Sequence, residues 1–366
     1  MNDIRKVLSY NDVLLCPRHS GLDHVSDANI EYNYGTFSSV PLINSPMDTV
    51  CSPKLLKMLH NDFNMPVTIH RWFNNVNEQI KFIIDCDFNF IWNNQENIFI
   101  SVGNVSKWKE WIDKLIEETT SQGVALMNCS YLVDVANGDT KSAVDTVKYI
   151  RSKCNSLIMA GNVATRSGFS RLQDVGANFI RVGIGGGSIC STRLNTGFGI
   201  PTLTSVFDCA KIKDTAYLVA DGGIESPGDI CKAMAVGADM VMAGKMFAAT
   251  DLSGGKKYNS DFRDVESVMD WRDGFEPKWV QYKGMASRES VEQLKSKKSH
   301  VSIEGVSGLI PYTGKTVDIV NEVIGNLRTS LSYYAGCVNW KQFQRRVKMV
   351  EISQQGWEES KTRINI

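Results

Sequence analysis

No apolar run in the chain approaches the ~20 residues that a membrane-spanning helix needs. The opening residues, MNDIRKVLSYND, also lack the apolar core of a secretory signal, so a cytoplasmic protein without a membrane partner is expected. Neither sign of charge is in excess: 40 basic residues balance 40 acidic ones. Partners of dense charge, such as nucleic acid or an anionic membrane surface, are therefore not expected. Disulfide and zinc signatures are missing as well. The nine cysteines are odd in number and include no C-x-x-C pair, so reduced and mostly buried thiols are expected. His19, His24, His60, His70 and His300 show no metal-ligand spacing.

What is present is ordinary for a globular enzyme: 366 residues, 43% apolar and 22% charged. Eight short apolar runs recur, each followed by a longer helix-compatible stretch. They are PLINSPM from Pro41, MPVTIHR from Met65, NIFISVG from Asn97, GVALMNC from Gly123, SLIMAGN from Ser156, ANFIRVG from Ala177, YLVADGG from Tyr217 and ADMVMAG from Ala238. Nearly continuous hydrophobicity suits parallel strands buried on both faces, and the alternation predicts an α/β fold, a (β/α)8 TIM barrel formed by residues 1–366 as one domain. Two segments break the repeat. Residues 252–283 are polar and aromatic and are expected to form a protruding hairpin. Residues 286–312, with the basic run KSKK, are expected to form a mobile active-site flap.

Ser45, Asp48, Asn162, Gly183, Asp221 and Gly244 fall at or just beyond the ends of these strands, on the face where such barrels carry their active sites. One such residue would read as a helix cap. Six on one rim read as a site. Glycine-rich turns after the seventh and eighth runs (ADGG, MAGK) offer backbone N–H groups to a phosphate. Asp221 would be repelled by that phosphate and suits the hydroxyls of a ribose.

The stretch RVGIGGGSICSTRLNTG, Arg181 to Gly197, sets five glycines around Cys190. A dinucleotide fingerprint would require the first strand of a βαβ unit and a later acidic residue, and neither condition holds. Two readings remain: plain turn chemistry, or a loop that surrounds an ion or ligand and presents Cys190. A thiol near a helix start, with Arg193 close by, should be more nucleophilic than an ordinary cysteine. Thr192 stands two residues on, where it could pass a proton to or from a leaving group. The sequence TGKT at Thr313 lacks the upstream glycine of a P-loop.

The stretches SYNDVLL, SPMDTV, AGNVAT, GIGGGSICSTR, DGGI-x-x-x-GD and YKGMASRE occur in order along nearly the whole chain. Together they resemble the IMP dehydrogenase and GMP reductase family. The resemblance implies a homotetrameric barrel that binds GMP or IMP and a nicotinamide cofactor, with Cys190 attacking purine C2. By the same resemblance Thr192 and Glu304 would move protons, and Ser45, Asp221, Gly222, Gly223, Gly244, Lys245, Gly284, Met285, Ala286 and Gly305 would bind the nucleotide. Asp134, Val135, Ala136, Ile184, Gly185 and Met285 would hold NADPH, and Gly185, Gly187, Cys190 and Arg193 would surround a monovalent cation such as K+.

Within the family, three local motifs resemble the reductase branch, which reduces GMP to IMP and ammonia. Residues 134–138 read DVANG, the glycine loop ends in CSTR, and Leu309 in EGVSGLIPY stands where dehydrogenases carry a water-activating arginine. MPVTIHRWFNN also continues with no inserted regulatory domain. Against the reductase pattern, Gly186 replaces a proline, SPMDTV is closer to the dehydrogenase form, and Lys245 stands where glycine is common. A dehydrogenase lacking the insertion, a flavin-phosphate barrel and a catalytically silent nucleotide binder remain as alternatives.

Overall fold

Short apolar runs become strands here because parallel pairing and flanking helices cover both of their faces. The structure, a computed structural model, describes residues 4–88, 96–120, 129–265, 277–284 and 305–361, without the side chains of residues 119 and 120. Eight parallel strands are present: β1 Leu42–Asn44, β2 Val67–Ile69, β3 Ile98–Val102, β4 Ser130–Asp134, β5 Ile158–Val163, β6 Phe179–Val182, β7 Tyr217–Asp221 and β8 Met240–Ala243. They pair side by side from β2 through β8 and on to β1. Every residue in them is buried except Asp134, Asn162 and Asp221 near the C-terminal ends, and Tyr217 at the other end. With helices between the strands, this is a (β/α)8 barrel.

One strand differs from its sequence expectation. The fourth begins at Ser130 rather than Gly123, and residues 123–128 lie outside the described residues. Pairing sets the position: Asp134 registers against Gly161, which carries the DVANG segment up to the rim.

Among the described residues no backbone ladder joins β1 to β2, and a side chain closes the barrel instead. Thr68 N–H donates to Asn44 Oδ1 at 2.8 Å, and Asn44 Nδ2 donates to Thr68 O at 2.9 Å. Thr68 Oγ1 then donates to the Asn44 carbonyl at 2.7 Å. The Asn44 amide thus stands in for a peptide group of the missing ladder.

The far end of the barrel is plugged by aromatic rings that precede β1. Tyr34 lies 5.6 Å from Phe179 and 5.3 Å from Tyr217, ring centre to ring centre, and Phe37 stacks on Phe179. The chain ends are clamped together, Val13–Leu15 pairing antiparallel with Met349–Glu351.

Helix caps are supplied by dedicated residues. Ser52, Asn75, Thr140, Thr165 and Ser226 each accept an N–H from the first turn of the following helix. Asp48, Asn162 and Asp221 do not cap these helices, so the rim carboxylates and amide serve another purpose. Above the rim, Lys257–Tyr258, Trp279–Lys283 and Ser307–Pro311 form a three-stranded antiparallel sheet. Its strands come from both segments that break the barrel repeat; residues 266–276 and 285–304 lie outside the described residues.

Candidate active site

The loop after β6 is shaped by close approaches that only glycine permits. Gly183 has φ +149°, and a Cβ there would fall 1.9 Å from the Asp221 carbonyl. A Cβ at Gly186 would meet Thr202 Oγ1 at 2.4 Å. Gly186 is not in the left-handed region, so the space taken by Thr202, rather than backbone freedom, is what excludes a larger residue. Where this loop ends, Cys190 sits half-buried and its thiol donates to Thr192 Oγ1 at 3.1 Å. Thr192 opens the short helix Thr192–Thr196.

Cys190 and Thr192 line a cavity of about 420 Å3 on the C-terminal face of the barrel. The same cavity is lined by Ser45, Asp134, Val135, Ala136, Ile184, Gly185, Gly187, Asp221, Gly222, Gly223, Gly244, Lys245, Gly284 and Gly305. Residues drawn from across the chain therefore meet in one place. Arg193 is outside this lining; its guanidinium donates to the carbonyls of Ile184 at 3.5 Å and Ile200 at 2.8 Å, bracing the glycine loop. Glu304, Met285 and Ala286 lie outside the described residues. Gly305, the residue after Glu304, forms an antiparallel bridge with Cys190, and Val306 N–H donates to the Ile189 carbonyl at 3.0 Å. The root of the segment following residue 304 is thereby tied to the cysteine loop.

A charged network that sequence reading missed runs beneath the cavity. Arg181 is buried, and it donates to Asp134 Oδ1 at 2.7 Å and to Asp221 Oδ2 through Nε at 3.0 Å and Nη2 at 2.7 Å. Asn162 Nδ2 donates to the same Asp221 oxygen at 2.7 Å. Arg71 reaches Asp134 from the other side, 3.4 Å from Oδ2, and its guanidinium lies over the Trp72 ring at 4.6 Å. Burial works against the Arg181 charge, but Asp221 and Asp134 outweigh it and hold the guanidinium pKa above its usual value. Trp72 Nε1 is buried on the cavity wall without a partner among the described residues, which leaves one donor for a ligand. The signal for Arg181 was a lone arginine in the apolar run ANFIRVG, a residue that cannot be buried without carboxylate partners.

Towards β8, Ser188, Tyr282, Gly244 and Lys245 line one part of the cavity. Burial keeps the Tyr282 phenol protonated far above its ordinary range, so it acts as a donor. Lys245 is half-exposed, 3.5 Å from Glu225. A second cavity of about 410 Å3 adjoins the first and shares Ala136, Ile184 and Thr192 with it, continuing past Asn137 and Thr165 to the exposed ring of Phe198. Leu309 lies in the rim sheet opposite Gln281 and does not line the cysteine cavity.

These features can be set beside known proteins. The sequence model described as "IMP dehydrogenase / GMP reductase domain" matches residues 7–363. The chain is 30% identical to GMP reductase 2 of Homo sapiens, over 97% of this chain and 96% of that protein. It is 31% identical to GMP reductase of Caenorhabditis elegans, over 95% and 92%. It is also 34% identical to the inosine-5'-monophosphate dehydrogenase of Aquifex aeolicus, over 67% of this chain and 49% of that one. The fold matches a solved GMP reductase of Trypanosoma brucei, a cysteine-to-alanine variant in complex with guanosine 5'-monophosphate, with a TM-score of 0.82 at 20% identity across 99% of both chains. Among the described residues no helix is long and apolar enough to cross a membrane. The chain belongs to the IMP dehydrogenase and GMP reductase family.

Proposed function

We propose that this chain is a GMP reductase, an oxidoreductase of purine metabolism that converts GMP to IMP and ammonia. The observation that carries the reading is the Cys190 thiol, hydrogen-bonded to Thr192 at 3.1 Å in a cavity shared with Asp221 and the glycine turns after β7 and β8. Relatives bearing the reductase name along their full length support it. So does the placement of Leu309, a side chain unable to take a proton from water, in the rim sheet.

Cys190 Sγ gives up its proton towards Thr192 and forms a bond to C2 of the guanine ring as the C2–N3 double bond opens. The amino group leaves C2 as ammonia, and Thr192 with Glu304 brings the proton it departs with, leaving a thioimidate joined to the cysteine. NADPH, when bound, supplies the hydride that C2 then accepts. The C2–S bond breaks, the sulfur keeps the electron pair, and IMP is released.

Arg181 and Asn162 concentrate their donors on Asp221 Oδ2, which fixes the carboxylate and would leave Oδ1 for the ribose hydroxyls. Ser188, Tyr282, Lys245 and the amides of Gly222, Gly223 and Gly244 suit the phosphate. Ser45, Gly284, Met285, Ala286 and Gly305 complete the nucleotide side. Room for a dinucleotide is given by the adjoining cavity, so Asp134, Val135, Ala136, Ile184, Gly185 and Met285 would hold NADPH. A monovalent cation such as K+ would be held by the carbonyls of Gly185, Gly187 and Cys190, on a loop that Arg193 braces through the Ile200 carbonyl. We place the enzyme in the cytoplasm as a homotetramer; nine free thiols suit a reducing compartment, and exposed Leu194 and Phe198 beside the site suit a subunit contact.

The test is a pair of assays on the pure protein, GMP with NADPH and IMP with NAD, each followed by the absorbance of the reduced nicotinamide. Turnover of GMP with release of ammonia is expected. Turnover confined to IMP with NAD would make the chain a dehydrogenase instead.

A further inference from the structure

At the barrel end opposite the active site, a cavity of about 540 Å3 is lined by Arg18, Asn339, Lys341, Gln342, Arg345 and Arg346. The helix Trp340–Arg346 carries most of it and is anchored at that end: Gln344 Nε2 donates to the carbonyl of Ala238, just before β8, at 2.7 Å, and Trp340 Nε1 donates to that of Ile30 at 2.7 Å. None of the four cations has a carboxylate partner among the described residues, although the chain as a whole carries as many acids as bases. Arg346 is held in place by neutral carbonyls, those of Gly336 at 2.7 Å and His19 at 3.4 Å.

The two amides add to the same bias. Asn339 Oδ1 accepts from Gln342 N–H at 2.9 Å, and Gln342 Oε1 accepts from Val338 N–H at 2.8 Å. Both side-chain oxygens are thus turned into the backbone, and the NH2 groups remain for the cavity. Every one of the six lining side chains then offers donors, and the two acceptor oxygens among them are each already engaged by a backbone N–H. Like charges held together by packing repel one another, and an anion that enters relieves that repulsion.

We propose that this cavity is a binding site for a polyphosphate group, such as free tripolyphosphate or the phosphate tail of a nucleoside triphosphate. Four cations facing one concavity outnumber the charge of a single phosphate or sulfate, and guanidinium forks match phosphate oxygens in pairs. Among the described residues no aromatic side chain lines the cavity, so the charged phosphates, rather than a base, are the part of such a ligand that these four cations select.

Titration calorimetry with sodium tripolyphosphate, on the full chain and on the Lys341→Ala/Arg345→Ala double variant, tests this. Both substituted side chains are exposed, so the fold should be retained; GMP reductase activity without added polyphosphate serves as the check. The wild type should bind tripolyphosphate, the double variant about tenfold or more weakly, and wild-type affinity should fall as salt is raised. ATP should show the same loss between the two proteins. Equal affinity of wild type and variant would overturn the site. Sulfate binding as tightly as tripolyphosphate would reduce it to an adventitious ion only, and an RNA oligomer binding more tightly than tripolyphosphate would make it a nucleic-acid surface instead.

Discussion

Buried between Asp134 and Asp221, Arg181 neutralises two carboxylates that would otherwise repel each other beneath the cavity. Replacing it with methionine leaves Asp221 with the neutral Asn162 amide and Asp134 with the longer contact to Arg71, and the loss of such a largely buried cation costs about 3–5 kcal/mol. The denaturant midpoint of Arg181→Met should drop accordingly. Arg181→Lys keeps the charge but cannot span both acids with one planar fork, so it should fall in between. Cys190 is different, because its half-buried thiol contributes little packing. Cys190→Ala should reduce turnover of GMP by about 10^4-fold or more while leaving the melting temperature and GMP affinity nearly unchanged. A variant that keeps its activity would remove the sulfur from the reaction. The two residues also differ in how visible they are in the sequence. Cys190 announces itself through the glycines beside it. Arg181 takes its meaning from residues 47 and 40 positions away, and only the closed barrel brings those together.

At the scale of elements, the seam between β1 and β2 is the weak line of the barrel, because side-chain bonds from Asn44 replace a backbone ladder. Asn44→Leu would leave the buried N–H of Thr68 unpartnered and its C=O with only the weak Cys51 thiol donor, at about 1–3 kcal/mol for the lost N–H partner. Unfolding stability should fall by that order, and hydrogen exchange should speed up at Val67–Ile69 before it does in β6 or β7. Uniform exchange across all eight strands in the variant would show that the seam closes without the amide. The strands were legible because burial on both faces demands continuous apolar runs. The seam was not, since an asparagine within PLINSPM gives no hint that its amide replaces a peptide. The start of the fourth strand was misplaced for a related reason: GVALMNC and SYLVD are both apolar, and only pairing with β5 selects the second. The rim residues were legible as a group, yet capping remained open until Ser52, Asn75, Thr140, Thr165 and Ser226 were seen in that role.

For the molecule as a whole, the barrel was readable from alternation, whereas the aromatic plug that seals its far end was not, because Tyr34 and Phe37 meet Phe179 and Tyr217 only after closure. At the opposite end, a buried histidine makes stability depend on pH. His70, at the end of β2, is buried with its ring 4.3 Å from that of Phe73, and its Nδ1 accepts the Trp72 N–H at 3.1 Å. Burial, reinforced by the Lys283 charge, lowers its pKa to about 3 from the ordinary 6.5. In the unfolded chain the same ring takes up a proton below 6.5, so between those two values the unfolded state holds more protons. Stability is therefore complete above about pH 6.5 and declines as pH falls towards 3, by up to about 1.4 kcal/mol per unit from this group. Asp139, held low by Arg171, and Asp208, held low by Arg5 and Arg166 against its burial, lose their contributions only below the ordinary carboxylate value of 3.8. The interval from pH 6.5 to 5 thus isolates the histidine. His70→Asn keeps an acceptor for Trp72 N–H but does not titrate, so its stability should stay flatter than the wild type's over that interval, whatever it loses at pH 7. Parallel curves for the two proteins, measured by urea unfolding at half-unit steps, would mean that the ring is hydrated and free to protonate in the folded state.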